Sequence, residues 1–144
     1  MNSTPPTLEF KRGADVDPAG LIDFWRNNDI TLSATDTPEE VGRAAAINST
    51  LFLVACSGSE IVGTIWGTFD GRRGYVVHLA VRREDRGRGI GTLLMEEVEE
   101  RFRAIGCQKV HLFVEEHNRD LAEMYRRLGW EERTDLTLFS KTLE

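Results

Sequence analysis

The chain has 144 residues, of which 40% are apolar and 29% charged, and it carries a formal net charge of −6. That length suits a single domain, 1–144, with a core of its own, and no apolar run approaches the ~20 residues of a membrane span. Two cysteines make neither a disulfide framework nor a metal-ligand spacing, and the acidic balance excludes a general nucleic-acid binder, which carries a basic face.

In chain order, Met1–Pro6 has neither a basic nor an apolar region. It reads as disordered and not as a signal peptide, so the cytoplasm is the expected compartment. Thr7 to Arg12 reads as a short strand. Asp17-Pro18 is an N-cap followed by proline at the first helical position, ahead of the apolar stripe Leu21, Ile22, Phe24 and Trp25. A polar loop from Asn27 to Asp36 follows. Thr37-Pro38-Glu39-Glu40 then has the form of a capping box, opening a second helix that uses Val41, Ala44, Ala45 and Ile47. Strands are expected over Leu51–Cys56, Glu60–Phe69 and Gly74–Arg82, with Asp70-Gly71 as the hairpin turn between the last two. Cys56 falls in an apolar run as a small core residue, whereas Cys107 follows a helix-ending glycine and is expected to be partly exposed.

The third of these strands delivers the chain to Arg86-Gly87-Arg88-Gly89-Ile90-Gly91, and Thr92 onward reads as a helix burying Leu94, Val98, Phe102 and Ile105. Glycines at alternate positions let backbone approach a ligand closely. A helix that starts there offers unpaired N–H groups and the positive end of its dipole, which is an anion site. Arg82, Arg83, Arg86 and Arg88 make a basic island around it, against Glu84 and Asp85. No lysine follows the last glycine, which excludes a Walker A loop. The Gly-x-Gly-x-Gly spacing after a hairpin strand does not suit a dinucleotide fold. Beyond the helix come a strand over Lys109–Glu115, a helix from about Asn118 to Leu128 ended by Gly129, and a tail with room for two short strands around Thr134-Asp135. The resulting order is β-α-α-β-β-β-α-β-α-β-β, an α+β plan on a mixed, mostly antiparallel sheet flanked by helices.

Two stretches carry a resemblance to a known family. Arg86-Gly87-Arg88-Gly89-Ile90-Gly91, after Leu79-Ala80-Val81-Arg82, fills every slot of the Arg/Gln-x-x-Gly-x-Gly/Ala signature of the GCN5-related N-acetyltransferase (GNAT) superfamily. Asn118, Ala122, Tyr125, Gly129 and Trp130 resemble the second signature, with one more residue between asparagine and alanine than in some members. The wider pattern, including Phe69–Gly74, looks most like the small bacterial YpeA-type branch.

The resemblance implies acetyl-CoA as acetyl-donor cosubstrate and no metal. Its pyrophosphate would lie on Arg86, Gly87, Arg88, Gly89, Ile90 and Gly91, with Thr92 adjacent. Leu79 and Val81 would pair with the pantetheine arm, and the amide near Leu79 or Ala80 would polarise the thioester carbonyl. Tyr125 would be the general acid for the departing thiolate, or a packing residue of its helix. Asn118 would touch pantetheine or cap that helix.

The base is less well marked. Ribosomal-protein N-terminal acetyltransferases of the superfamily have a glutamate before the valine of the strand after the signature helix; here Phe113 precedes Val114, so that substrate class is not carried over. Glu115 and Glu116, ending the same strand on opposite faces, and His78, an imidazole that titrates near neutrality or else a core histidine, are the base candidates. Trp25, Asp29, Asp36 and Trp66 are chemically suited to hold an amine, and Asp70 belongs to its hairpin turn. The expected reaction is direct transfer to a primary amine of a small molecule or peptide in a ternary complex. The alternative is an acyl-CoA-binding or sensing module without turnover. Neither nucleic acid nor membrane is an expected partner, and a homodimer is left open.

Overall fold

The computed structural model describes residues 7–143, so the expectation of disorder for Met1–Pro6 falls outside the described residues. Contacts divide the chain into two units, Met1–Phe113 and Val114–Glu144.

The first unit holds strand β1 (Glu9–Arg12), helices α1 (Pro18–Asn27) and α2 (Pro38–Ala45), strands β2 (Phe52–Ser57), β3 (Glu60–Phe69) and β4 (Gly74–Val81), helix α3 (Ile90–Ala104) and strand β5 (Val110–Leu112). The sheet runs β1-β2-β3-β4-β5, antiparallel through β4 and parallel between β4 and β5. This is the mixed, mostly antiparallel α+β plan expected. The starts of α1 and α2 follow the local code. The Asp17 carboxylate accepts the Ala19 amide at 3.2 Å, and the Thr37 hydroxyl accepts the Glu40 amide at 3.2 Å. Only half of the capping box forms, because the Glu40 carboxylate turns to Arg43 instead. The Asp70 carboxylate closes the β3–β4 hairpin by accepting the Arg72 and Arg73 amides, each at 2.8 Å. Those two backbone bonds also hold its carboxyl below the usual range.

One face of the sheet carries α3. There β4 begins with a glycine because a Cβ at Gly74 would stand 2.6 Å from the Phe102 ring. Phe102, Leu94 and Val98 are fully enclosed on this side, each burial worth about 1.5–3 kcal/mol. The other face carries a stack of aromatic rings. Trp25 of α1 lies 5.9 Å from Trp66 and 6.2 Å from Phe52, with ring planes within 16° of parallel.

Several boundaries differ from the sequence reading. Helix α2 stops at Ala45 and leaves Ile47 61% exposed, while α3 stops at Ala104 and leaves Ile105 42% exposed. In both cases the apolar residue lies past the last helical turn, where helical periodicity no longer aims it inward. Strand β2 starts at Phe52 because Ser49–Leu51 forms a 3-10 turn after Asn48. Cys107 is buried, with its Sγ 3.4 Å from the Lys109 carbonyl, not partly exposed.

The second unit has a 3-10 turn at Glu116–Asn118 and helix α4 (Leu121–Arg127). Gly129, at φ 92°, ends α4 as expected, and Trp130 returns its amide to the Tyr125 carbonyl at 2.9 Å. The two short strands expected in the tail are not formed between 130 and 143. Local pairing takes their place at the turn, where Arg133 holds the Asp135 carboxylate at 3.0 Å. Among the described residues no helix is long and apolar enough to cross a membrane.

Candidate active site

The glycine turn is built at the end of β4. A 3-10 turn, Arg83–Asp85, leads into it, and Gly87 and Gly89 take φ of 79° and 82°. Apart from its chain neighbours, no heavy atom of the described residues lies within 4 Å of a Cβ added at Gly89, so the left-handed backbone, and not crowding, calls for glycine there. Gly89 is the N-cap of α3 and makes no side-chain cap bond. The first amides of a 15-residue helix are therefore presented outward beside open space.

The basic island is otherwise engaged. Buried Asp85 accepts from Arg82 at 2.6 Å and from Arg88 at 3.3 Å, and Arg82 also pairs with Glu60. Arg86 bends back to the Val81 carbonyl at 2.9 Å and to Asp29 at 3.0 Å, and Arg83 meets Asp29 at 2.8 Å. Both guanidiniums, Arg86 foremost, hold the Asp29 carboxyl below its usual range. Asn28 adds to this clamp by accepting the Arg83 amide at 3.2 Å while donating to the Phe24 carbonyl at 2.8 Å. Asp29 thus serves the turn, not an amine. Any anion held here is held by backbone amides and the α3 dipole more than by bare arginine charge.

The second feature is a break in β4. Thr64 pairs with Ala80 but Trp66 pairs with Val77, so Ile65 faces two residues, His78 and Leu79. This is a β-bulge, which bends its strand and re-aims side chains. His78 adopts φ 53°, a left-handed conformation rare for a side chain of its size. Three contacts impose it. The Thr64 hydroxyl donates to the His78 carbonyl at 2.9 Å and accepts the buried Trp25 indole N–H at 2.9 Å. The Trp25 ring meets the imidazole edge at 4.5 Å, and His78 Nε2 bonds Asp36 at 3.0 Å. Because a carboxylate only accepts, Nε2 donates to Asp36, and in the neutral imidazole the lone pair is then on Nδ1. His78 is therefore neither a plain core histidine nor an isolated one. Asp36, whose side chain is 10% exposed, holds His78 rather than an amine. Trp25 and Trp66 are core residues.

Beyond the bulge, no strand among the described residues pairs with the second side of β4. Its ladder with β5 pairs only Gly74, Tyr75 and Val76. Arg82 donates to the Val62 carbonyl at 2.8 Å, so by alternation Ala80 faces β3 while Leu79 and Val81 turn their backbone groups to that second side. Of these, the Val81 carbonyl is taken by Arg86.

The remaining candidates lie in the second unit. Tyr125 is the buried residue of α4, and burial pushes its phenol up to about 12. Asn118 does not cap α4: that helix starts at Leu121, and the Asn118 side chain sits 3.3 Å from His117 Nε2. Glu115 and Glu116 do not end a strand, since β5 stops at Leu112. Glu115 lies 3.5 Å from His117 Nδ1 and Glu116 3.4 Å from Arg119. Sequence reasoning missed Asn28 and Thr64, two common polar residues in no motif. No group of three His, Cys, Asp or Glu residues suited to a metal ion is found among the described residues.

A family model described as Acetyltransferase (GNAT) family matches residues 19–130. Among solved structures, the chain is similar to the PaiA N-acetyltransferase of Thermoplasma acidophilum in complex with coenzyme A, at 21% identity and a TM-score of 0.76, covering 90% of this chain and 93% of that one. It is similar to an acetyltransferase of Streptococcus agalactiae at 16% identity and 0.74, covering 95% and 92%. A transcriptional regulator of Bacillus halodurans, at 18% and 0.73, shares the same fold over 95% of this chain and 100% of that one.

Proposed function

We propose that this chain, which belongs to the acetyltransferase (GNAT) family and is a GNAT-type N-acetyltransferase, moves an acetyl group from acetyl-CoA to a primary amine of a small molecule or peptide by direct transfer in a ternary complex. The observation that carries the donor side is the uncapped N-terminus of α3 behind two left-handed glycines, continuous with the side of a bulged strand that no described strand pairs. A phosphorylated ligand with an extended amide-bearing arm matches that pairing of features. The coenzyme A complex of a protein of the same fold supports the choice of ligand. Within the family, the wider sequence pattern, including Phe69–Gly74, looks most like the YpeA-type branch, and our reading is of one domain acting in the cytoplasm.

The roles are those that the family resemblance implies for these positions. Acetyl-CoA supplies the activated acyl group. Gly87, Arg88, Gly89, Ile90, Gly91 and Thr92 hold its phosphates through their amides, with Arg86 flanking them. The Leu79 and Val81 amides bind its extended arm, and the Leu79 amide, not that of Ala80, which faces β3, steadies the carbonyl oxygen as charge develops there. His78, with Nε2 fixed by Asp36, takes the proton of the amine at Nδ1; Glu115 and Glu116 are the further candidates for that task. Tyr125 is the general acid toward the leaving sulfur. With its phenol pushed up to about 12 it stays protonated throughout the neutral range. A thiol ordinarily titrates near ~8.5, so the phenol shares its proton through a hydrogen bond more than it surrenders it. Asn118 contacts the arm of the cosubstrate.

The test is release of CoA by the purified protein over a panel of amines, polyamines and peptides, with Tyr125→Phe alongside. Turnover that falls at least about 100-fold in Tyr125→Phe, with acetyl-CoA affinity kept, supports the assignment. Tight CoA binding with no turnover on any acceptor replaces it with an acyl-CoA-sensing module. Equal affinity for ATP, NAD and CoA removes the CoA assignment altogether.

A further inference from the structure

The β3–β4 hairpin brings Arg73 across to β5, where its Nη1 lies 3.0 Å from His111 Nε2. A guanidinium is always a donor, so His111 accepts at Nε2 and its own proton sits on Nδ1. An imidazole that accepts from Arg73 brings no negative charge to it, so this contact does not balance the guanidinium. Every other arginine of the first unit except exposed Arg72 has a carboxylate partner within ion-pair distance among the described residues; Arg73 has none. The nearby acid, Asp70, spends its carboxylate on the Arg72 and Arg73 backbone amides. Arg73 is half-buried, where an uncompensated cation is costly and a counter-anion is favoured.

Tyr75 pairs with His111 across the β4–β5 ladder, the two rings 5.9 Å apart, and supplies a phenolic donor on the same face. That face is the one carrying His78. Tyr75 and Val77 alternate onto it, Val77 packs into the α1 core cluster, and the bulge adds His78 beside Trp25 and Trp66. Three to four residues of strand separate Tyr75 from the bulge, roughly 10–13 Å at ~3.3 Å per residue.

We infer that the amine acceptor also carries an anionic group, a carboxylate or a phosphate, bound by Arg73 with Tyr75 while its amine reaches the bulge. Arginine's planar fork suits both anions. This deepens the acetyltransferase reading and rests on it.

The test compares ω-aminocarboxylates of three to eight carbons, aminoalkyl phosphates of matched length, plain alkylamines and diamines as acceptors. The expected result is a preference of about 10- to 100-fold in kcat/KM for one anionic series, expressed in acceptor KM, with an optimal chain length. The better of the two anionic series identifies the anion. Arg73→Gln removes the preference and leaves turnover of plain alkylamines, KM for acetyl-CoA and Tm unchanged; Arg73→Lys restores part of it. Diamines preferred over anionic amines, or an Arg73→Gln loss shared by all acceptors, overturns the inference. Should no amine be acetylated, the transferase reading fails on its own. Titration with inorganic phosphate, followed through the His111 imidazole resonances, then decides the anion site. A saturable shift in the native protein that is absent from Arg73→Gln upholds it, and no shift overturns it.

Discussion

The glycine turn and the His78 bulge both hold backbone in the left-handed region, and they hold it by opposite means. At Gly87 and Gly89 the residue itself removes the penalty, and around Gly89 no atom of the fold presses inward. At His78 the residue opposes the conformation, and Thr64, Trp25 and Asp36 impose it from three different elements. The turn is thus a local device, tolerant of what surrounds it, whereas the bulge is only as secure as its contacts. Strain stored where surroundings over-determine it is typical of functional sites.

Cutting the contacts at the bulge gives the largest expected effect. Thr64→Val keeps the shape but leaves the buried Trp25 N–H and the His78 carbonyl without their shared partner, a loss of about 2–4 kcal/mol. Urea unfolding with an unchanged m-value measures it. A loss below about 0.5 kcal/mol means the bulge holds itself.

Exchanging the residues tests the contrast directly and with opposite signs. Gly89→Ala puts a Cβ at φ 82° and costs about 1–2 kcal/mol, with weaker acetyl-CoA binding. At φ 53°, His78→Gly is about 0.5–1 kcal/mol more stable than His78→Ala, the reverse of the usual glycine penalty. Equal thermal stability of the two His78 variants removes the strain from that site.

The smallest effect is at the clamp beside the turn. Asp29 is held below its usual range by Arg86 and Arg83, so the folded state binds that proton less readily than the unfolded chain. Its contribution is complete above about pH 4 and is lost as pH falls through the lowered folded value. Solvent screening keeps it to about 0.5 kcal/mol or less. Asn tolerates φ 68° as well as Asp does, so Asp29→Asn isolates the charge. It lowers stability slightly at neutral pH, and the deficit shrinks as pH falls from the unfolded value through the lowered folded one. A deficit in Asp29→Asn that is the same at every pH assigns its effect to packing instead of charge.

Much of the fold was legible because its signals are local. Asp17-Pro18, Thr37, Asp70-Gly71 and Gly129 each act within a few residues of chain, and each marks the boundary it was expected to mark. The misplaced features depend on partners. Periodicity continued Ile47 and Ile105 into the core, although the helices had already ended. The tail had room for two short strands, and none forms between 130 and 143. Asn118, expected to touch pantetheine or to cap its helix, stands three residues before α4 begins.

The sequence by itself determined the glycine turn and with it the family, since φ preferences and helix-end chemistry belong to single residues and near neighbours. Only the tertiary structure decided what the arginines and His78 do. Arg86 turns to Asp29, His78 to Asp36, and Arg73 to His111, across 57, 42 and 38 positions of chain. Charge and imidazole chemistry are set by whichever group stands within a few ångströms, and neighbours at that separation in sequence are brought together only by the sheet and its helices.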